Sequence, residues 1–197
     1  MLKRLFDVIS SLTGILILTP LFIIVAISIK LDSCGPILFQ QTRIGRLGSK
    51  FKIYKFRTMI VNAEQFGEQI TIGDDQRITK IGAWLRKFKL DELPQLFNVL
   101  NGEMSLVGPR PEVEKYVDLY TSHQRQVLQV RPGITDPASI AFRNESDLLG
   151  KADDPEKFYI REIMPKKLEL NLNYLKSQSV ISDIKIILNT LFKVAIN

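Results

Sequence analysis

Two adjacent carboxylates, Asp91 and Glu92, stand directly before an apolar run in the stretch LDELPQLFNVL. Pro94 has no N–H group and is best tolerated in the first turn of a helix, so this stretch predicts a helix whose N-terminal end carries both carboxylates. Free N–H groups and the helix dipole favour negative charge there. One interpretation is a helix cap, which stabilises a protein by about 1 kcal/mol. The other is chemical, because carboxylates can hold Mg²⁺ or attack phosphorus.

Two arginines in stiff, proline-bearing loops strengthen the chemical interpretation. Arg110 lies between two prolines in GPRP, and Arg131 opens the stretch RPG. A planar guanidinium on such a loop suits the two-point binding of a phosphate. Cys34 and His123 are the only residues of their types, so the chain cannot build a Cys/His zinc cluster. Arginines beside adjacent carboxylates match metal-assisted phosphoryl transfer.

The chain carries 27 Lys and Arg against 21 Asp and Glu, a net charge of +6 in 197 residues. This excess predicts an anionic partner, which would be nucleic acid, an anionic bilayer surface or a phosphorylated substrate. Nucleic acid is disfavoured, because its binding would not require the long uncharged segment near the N-terminus. A non-catalytic membrane-surface adaptor that binds anionic lipids stays open as the alternative. It needs an apolar anchor and basic helices, but not Asp91, Glu92 or Arg110.

The segment Val8–Ile29 contains 22 residues and no charged side chain. As a helix it would be about 33 Å long, enough to cross the hydrocarbon core of a bilayer. A cleaved signal peptide is disfavoured, because Lys30 follows the apolar run where a small-residue cleavage site would be needed. A buried core helix is the remaining soluble interpretation. The length and hydrophobicity of the segment favour membrane insertion.

Thr19 and Pro20 lie near the middle of this segment, and an interior proline removes one helix hydrogen bond. Basic residues flank both ends, with Lys3 and Arg4 before the segment and Lys30 after it. Because basic flanks prefer the cytoplasmic face, both ends are predicted to lie on that side. We therefore favour a re-entrant helix that breaks at Thr19–Pro20 over a straight span.

The segments after the anchor are predicted to position the chemistry. Residues 36–45 and 51–59 are rich in β-branched and aromatic residues, which predicts a small antiparallel hairpin with a basic face. Arg77–Leu90 predicts an amphipathic helix, suited either to a membrane interface or to a core. Residues 182–196 predict a second such helix that docks on the core or lies in the interface. The polar, proline-marked residues 143–166 are predicted to form a surface excursion.

The chain closely resembles the bacterial sugar transferases, monotopic phosphoglycosyl transferases that start glycan assembly on a polyprenyl phosphate. The resemblance rests on Thr19–Pro20 in an apolar helix, followed in order by FKIYKFRTM, LDELPQLFNVLNGEMSLVGPRP and VRPGIT. It runs from about Lys3 to Lys193, and DELPQLFNVL with SLVGPRP at this spacing is highly specific. After RPGIT the chain has DPAS where many relatives have Gly-Trp-Ala-Gln, which leaves the identity of the sugar open.

The resemblance implies a role for each matched residue. Asp91 matches the nucleophile that attacks the β-phosphate of a UDP-sugar, expels UMP and becomes a phosphosugar–aspartyl ester. Glu92 matches the carboxylate that binds Mg²⁺, and Asp91 beside it completes the predicted metal site. Arg110 and Pro111 fall in the motif associated with the nucleotide, and Pro20 matches the proline that breaks the re-entrant helix. A polyprenyl phosphate then attacks the ester and carries the phosphosugar away.

Three further basic residues complete the predicted substrate-binding set: Lys55, Arg86 and Arg131. The predicted fold is α+β and mostly helical, with a re-entrant membrane helix in residues 1–31, amphipathic interface helices, and one cytoplasmic, membrane-associated catalytic domain in residues 32–197. The implied cofactor is Mg²⁺, and the implied partners are a UDP-sugar, a polyprenyl phosphate and membrane lipids, with no nucleic acid. A homodimer is a further prediction. The predicted location is the cytoplasmic face of the bacterial inner membrane.

Overall fold

A computed structural model describes residues 2–63 and 75–196. The helices are α1 (Leu2–Asp32), α2 (Lys80–Lys87), α3 (Gln95–Asn101), α4 (Glu114–Val117), α5 (Pro137–Ala141), α6 (Glu145–Leu149), α7 (Pro155–Phe158), α8 (Met164–Lys176) and α9 (Val180–Ala195). The strands are β1 (Leu38–Ile44), β2 (Lys50–Phe56), β3 (Ser105–Val107) and β4 (Gly133–Thr135). Strands β1 and β2 pair antiparallel, and β3 and β4 pair parallel. The predicted α+β class, mostly helical with a small antiparallel hairpin, is confirmed.

The N-terminal end of α1 is fixed to the rest of the chain by buried polar contacts. Arg4 donates to the carbonyl oxygen of Val99 (2.6 Å), at the C-terminal end of α3. Asp7 is buried and accepts hydrogen bonds from the Ser105 hydroxyl (2.9 Å) and from the backbone N–H of Leu106 (3.1 Å), both on β3. Charged groups are buried only where such partners compensate them, so this end of α1 has one specific docking position.

The C-terminal end of α1 is bound to the same body of structure. Val25 and Ile29 are buried in a hydrophobic cluster with Phe56 of β2 and Leu85 of α2. One turn further, a side-chain oxygen of Asp32 accepts the backbone N–H of Ile81 at 3.1 Å, at the start of α2. Helix α1 therefore lies along the rest of the structure from β3 to α2, and both of its ends contact it.

The opposite side of α1 is apolar and uncovered. Among its exposed side chains are Leu2, Leu5, Ile9, Leu12, Leu16, Ile17, Ile23, Ile24, Ile27 and Leu31. Only 11% of its most apolar 18-residue window is buried, whereas a core helix would be mostly covered. The interpretation as a buried core helix is therefore wrong. Within the described residues, α1 is the one helix long and apolar enough to cross a membrane.

The backbone of α1 continues as a helix through Thr19 and Pro20. Pro20 cannot donate to the carbonyl of Leu16, and the Thr19 hydroxyl donates to the neighbouring carbonyl of Ile15 at 2.8 Å. A proline and a Thr hydroxyl on a helix carbonyl both favour bending at this point. The re-entrant course of the helix in a membrane stays a prediction.

Asn98 of α3 joins the hairpin to the helix that follows the two carboxylates. Its side-chain Oδ1 accepts the backbone N–H of Tyr54 (3.0 Å), and its Nδ2 donates to the carbonyl of Lys52 (2.8 Å) and to Glu103 (2.7 Å). Because the amide lies between strand and helix, it fixes the position of β2 relative to α3. The hairpin predicted from residues 36–59 is confirmed.

The two predicted amphipathic helices form with one apolar side exposed. Helix α2 is shorter than predicted, because Thr79 caps its start and Lys89 leaves the helical conformation after its end. Leu85 of α2 is fully buried, whereas Trp84 is half exposed. Helix α9 exposes a run of large apolar side chains: Ile181, Ile184, Leu188, Leu191 and Phe192. The other side of α9 packs against β3, β4 and α5, so the predicted docking on the core is confirmed, whereas a position in a membrane interface stays a prediction.

The prediction of a surface excursion in residues 143–166 is wrong. This stretch forms α6, α7, a π-helical turn (Tyr159–Ile163) and the start of α8. Leu149, Tyr159, Ile163 and Met164 are buried in a cluster with Val113 and other apolar residues. Charged residues separate these apolar positions in the sequence, so the apolar pattern was too weak to indicate that they face the core.

Candidate active site

Asp91 and Glu92 lie in a tight 3₁₀ turn (Leu90–Glu92) between α2 and α3. Lys89 precedes the turn in the left-handed backbone conformation (φ 55°, ψ 21°), which a non-glycine residue adopts at a cost of about 1 kcal/mol. Pro94 occupies the N-cap position of α3, and among the described residues no side chain caps this helix. The predicted position before a helix is confirmed, but the carboxylates do not act as caps.

Glu92 is a buried carboxylate held between two cations. Its Oε1 accepts hydrogen bonds from Lys55 Nζ (2.8 Å) and Arg110 Nη2 (2.5 Å), and its Oε2 accepts one from Arg110 Nη1 (3.2 Å). Burial alone would raise the pKa of Glu92, but the charges of Arg110 and Lys55 outweigh burial and hold this pKa well below its usual range. Glu92 is therefore ionised at neutral pH, and its charge raises the pKa of Arg110.

Asp91 is equally buried but differently surrounded. The exposed fraction is 7% for Asp91 and 9% for Glu92, yet no described residue donates a hydrogen bond to the buried Oδ1 of Asp91. Desolvation by burial, and then the charge of Glu92, raise the pKa of Asp91. Leaving a buried acceptor unpaired costs about 1–3 kcal/mol, and more when the group is charged. The unpaired Oδ1 of Asp91 is therefore available to bind a ligand or to react.

Lys55 and Arg86 add positive charge around the two carboxylates. Burial lowers the pKa of Lys55, although the nearby charge of Glu92 acts in the opposite direction. Arg86 of α2 donates its Nε–H to the Thr58 hydroxyl at 2.9 Å. Burial lowers the pKa of Arg86, and the strongest opposing influence is the charge of Asp91. Three predicted phosphate-binding residues, Lys55, Arg86 and Arg110, are therefore gathered around the carboxylates.

The other two predicted substrate-binding residues support the site from a distance. Arg131 donates its Nε–H to the carbonyl of Gly102 at 2.7 Å, at the C-terminal end of α3 and opposite the end that carries Asp91. Pro111 is buried directly after Arg110, and its carbonyl accepts a hydrogen bond from Arg43 (3.3 Å). The guanidinium groups of Arg131 and Arg110 thus contact opposite ends of the segment that runs from the 3₁₀ turn through α3.

The loops that carry these two arginines meet at a close backbone contact. Gly108 donates its N–H to the carbonyl of Thr135 (3.1 Å), and Gly133 donates to the carbonyl of Pro109 (3.0 Å). A Cβ atom at Gly133 would lie 2.1 Å from the nitrogen of Gly108, so a side chain cannot be accommodated there. This parallel contact between β3 and β4 sets the loop from which Arg110 reaches Glu92.

The Arg110 loop is also held in place by Arg43, Glu112 and Tyr159, which were not predicted as site residues. Glu112 accepts a hydrogen bond from the Tyr159 hydroxyl (2.6 Å), and one of its oxygens lies 3.5 Å from Arg43. Burial and the charge of Glu112 raise the pKa of Tyr159, which keeps its hydroxyl protonated as a donor. Glu112 directly follows GPRP, and Arg43 belongs to the basic hairpin. Tyr159 carried no sequence signal, because its partner is 47 positions away.

The donor set at Asp91 and Glu92 fits Mg²⁺ bound jointly with a substrate. Within residues 2–63 and 75–196, no group of three or more Asp, Glu, His or Cys residues could hold a metal ion by itself. Mg²⁺ is commonly bound through one or two carboxylates together with substrate phosphates. The unpaired Oδ1 of Asp91 can supply one ligand, and Glu92 can supply another once its contact with Arg110 opens.

Comparison with known proteins identifies the family of the chain. The sequence model of the bacterial sugar transferase family matches residues 1–197. The chain is 38% identical over 193 residues to the UDP-N-acetylgalactosamine-undecaprenyl-phosphate N-acetylgalactosaminephosphotransferase of Aeromonas hydrophila, covering 96% of this chain and 43% of that protein. It is 38% identical over 206 residues to the UDP-glucose:undecaprenyl-phosphate glucose-1-phosphate transferase of Escherichia coli K12, covering 100% of this chain and 41% of that protein.

A third relative, the exopolysaccharide production protein PSS of Rhizobium leguminosarum bv. phaseoli, is 42% identical over 200 residues, covering 96% of this chain and 92% of that protein. The chain thus spans about two fifths of the length of the first two relatives and most of the third. The chain belongs to the bacterial sugar transferase family.

Proposed function

We propose that this protein is a phosphoglycosyl transferase that moves a sugar phosphate from a UDP-sugar to a polyprenyl phosphate such as undecaprenyl phosphate. The products are a polyprenyl-diphosphate-sugar and UMP, and the reaction starts the assembly of a cell-surface glycan. The observation that carries this proposal is the unpaired, buried oxygen of Asp91 beside Glu92 and three cations. A non-catalytic adaptor on anionic lipids would gain nothing from burying a carboxylate oxygen without a partner.

The proposed reaction has two steps that use the same carboxylate. An oxygen of Asp91 attacks the β-phosphorus of the UDP-sugar, and the bond from phosphorus to the oxygen that bridges the two phosphates breaks. UMP leaves with that bridging oxygen and its electron pair. An oxygen of the polyprenyl phosphate then attacks the same phosphorus, and Asp91 leaves as a carboxylate. No net proton is taken up, and the enzyme returns to its starting state.

The surrounding charges suit this chemistry. Lys55, Arg86 and Arg110 can neutralise the diphosphate and the charge that passes to the leaving UMP. Bound Mg²⁺ would supply further charge stabilisation at the phosphate oxygens. Arg110 is held by Glu92 in a two-point contact of the kind that a phosphate also accepts. We propose that Arg110 exchanges Glu92 for a substrate phosphate, which frees Oε2 of Glu92 for the cation while Lys55 stays on Oε1.

We also propose that the protein lies on the cytoplasmic face of the membrane with α1 re-entrant rather than spanning. A helix that crosses the bilayer places its ends on opposite faces. Support comes from the contacts at the two ends of α1, because Asp7 and Asp32 both bind the same catalytic domain. The exposed apolar side of α1 would then face lipid within one leaflet. A homodimer stays a prediction.

The proposal is tested by incubating the purified protein with a panel of UDP-sugars, a polyprenyl phosphate and Mg²⁺, and measuring release of UMP. We expect release with at least one sugar and its loss on addition of EDTA. The Asp91→Asn variant is the matched control, which should lose the activity and still bind membranes. Membrane binding without UMP release from any UDP-sugar would favour the adaptor instead.

A further inference from the structure

The first two turns of α1 hold β3, the strand that leads into the GPRP loop. Asp7 accepts the backbone N–H of Leu106 at 3.1 Å and the hydroxyl of Ser105 at 2.9 Å. Lys3 donates its Nζ to the carbonyl of Val107 at 3.0 Å. Side chains of α1 therefore bind all three residues of β3, directly before the loop.

The same part of α1 also holds α3, the helix that follows the two carboxylates. Arg4 donates to two carbonyl oxygens in the last turn of α3, at 2.6 Å and 3.0 Å. Strand β3 continues into the loop of Arg110, and α3 continues from the turn of Asp91 and Glu92. One end of a single helix thus joins the two segments that meet in the contact between Glu92 and Arg110.

The contact through Asp7 is more specific than attachment of α1 requires. Only 2% of Asp7 is exposed, and burial of a carboxylate is unfavourable unless hydrogen bonds compensate it. Apolar packing attaches a helix without that cost, as Val25 and Ile29 do near the other end of α1. Directional bonds add a constraint that packing lacks, because they fix one position of β3 relative to α1.

We propose that Asp7 is a positioning residue for Arg110. This inference rests on the proposed function. Through β3, Asp7 fixes the distance of the Arg110 loop from the carboxylate turn, so that the guanidinium reaches the diphosphate that Asp91 attacks. Loss of Asp7 should therefore weaken the grip of Arg110 on the diphosphate, whereas Asp91 keeps its surroundings.

The first test measures binding of UDP with Mg²⁺ to the purified protein, because UDP carries the diphosphate but no sugar phosphate to transfer. Asp7→Ala should raise the Kd of UDP about 10-fold, the effect of losing one hydrogen bond to a charged group. Asp7→Asn should keep the Kd within about 2-fold, because an amide can accept the N–H of Leu106 and donate to the oxygen of Ser105. The hydroxyl hydrogen of Ser105 can then turn to the carbonyl of Val107, 3.0 Å away.

The second test asks whether the effect passes through Arg110. In an Arg110→Ala background, Asp7→Ala should change the Kd of UDP by less than about 2-fold, because the contact that Asp7 positions is already absent. If Arg110→Ala fails to fold, Arg110→Lys replaces it, since an ammonium lacks the two-point grip on a phosphate.

Asp32→Ala is the matched control. It also removes a carboxylate of α1 that accepts a backbone N–H, that of Ile81 at 3.1 Å, but at the end of α1 remote from β3. Any effect of Asp32→Ala on the Kd of UDP should be the same with and without Arg110.

Equal weakening of UDP binding by Asp7→Ala in both backgrounds, or an unchanged Kd in Asp7→Ala, would overturn the proposal. If Asp7→Ala fails to fold, Ser105→Ala takes its place, because it deletes a single donor to Asp7, with an expected weakening of about 3-fold that again requires Arg110. A wild-type protein that binds no UDP and releases no UMP would reject the proposed function, and this inference with it. UMP release by the wild type without an effect that depends on Arg110 would reject this inference alone.

Discussion

Asp91 and Glu92 are neighbours in sequence and in burial, but the structure gives them opposite ionisation behaviour. Glu92 has two cationic partners, which hold its pKa low, whereas Asp91 has a buried unpaired oxygen and a raised pKa. Two carboxylates whose pKa values are pushed apart by their surroundings commonly have different catalytic roles. Here the paired residue suits a fixed binding role, and the unpaired residue suits attack on phosphorus.

This difference predicts that Asp91→Asn stabilises the folded protein while it stops turnover. The change removes a buried charge and leaves the volume of the side chain nearly unchanged. A gain of about 1 kcal/mol would raise the melting temperature of a protein of this size by about 2–4 °C. The measurement is thermal unfolding of the purified protein beside an assay of UMP release. An inactive variant with a lower melting temperature would show that Asp91 supports the fold.

For Glu92→Gln we expect the reverse effect on stability, because Lys55 and Arg110 lose a buried counter-charge. The loss at neutral pH should be about 3 kcal/mol. The folded-state pKa of Glu92 is depressed, so its stabilisation is fully present above the unfolded-state pKa of about 4.3 and disappears as the pH falls through the lower folded-state value. The difference in unfolding free energy between wild type and Glu92→Gln should therefore shrink below about pH 4. A difference that is constant with pH would contradict this account.

Among the elements, the parallel pair β3–β4 has the greatest influence on the site relative to its size. Each strand has three residues, yet together they bring the GPRP and RPG stretches into backbone contact. The Arg110 loop is thereby held from one side by β4 and from the other by Glu112 and its partners.

Gly133→Ala should disrupt this pair. The added Cβ would lie 2.1 Å from the backbone nitrogen of Gly108. Strands β3 and β4 would have to move apart to make room for it, and the loop that carries Arg110 would move with β3. We expect a loss of several kcal/mol, in the range of severe core overpacking, together with loss of UMP release. Gly48→Ala is the control: its positive φ of 79° makes alanine cost about 1 kcal/mol, but no atom lies within 4 Å of the added Cβ, so activity should be kept. Equal stability and activity of the two variants would show that the contact is not critical.

Local signals in the sequence predicted the hairpin, α3, α9 and the two carboxylates, because each depends on residues close together in the chain. The contacts that complete the site connect distant segments. Tyr159 with Glu112, and Gly108 with Gly133, could not be inferred from spacing or periodicity. The unpaired Oδ1 of Asp91 is equally inaccessible to pattern analysis, because lack of a partner is a property of the packed structure.

For the molecule as a whole, the decisive feature is the attachment of α1 to one domain at both ends. The buried carboxylate of Asp183 on α9 accepts a hydrogen bond from Lys3 and another from the Tyr174 hydroxyl, which adds α8 and α9 to the contacts at the N-terminal end. Separating this end from the domain would leave Asp7 without its partners on β3 and Asp183 without Lys3. The N-terminus is therefore expected on the same side of the membrane as the site.

Cysteine labelling tests this topology. Leu2→Cys, in a Cys34→Ser background that removes the exposed natural cysteine, should resist a membrane-impermeant thiol reagent in intact cells and react after permeabilisation. Cys34 in the unchanged protein serves as the reference for a residue in the domain itself. Reaction of the Leu2→Cys protein in intact cells would mean that α1 crosses the bilayer.

The central claim is that Asp91 forms a covalent bond to the phosphosugar, and one measurement addresses it directly. The protein is incubated with a UDP-sugar that it uses and Mg²⁺, without polyprenyl phosphate, and both UMP and the intact protein mass are measured. We predict about one equivalent of UMP per protein, a mass increase equal to the phosphosugar on the peptide that contains Asp91, and neither change in Asp91→Asn. UMP release that requires the polyprenyl phosphate, with no change in protein mass, would contradict the claim.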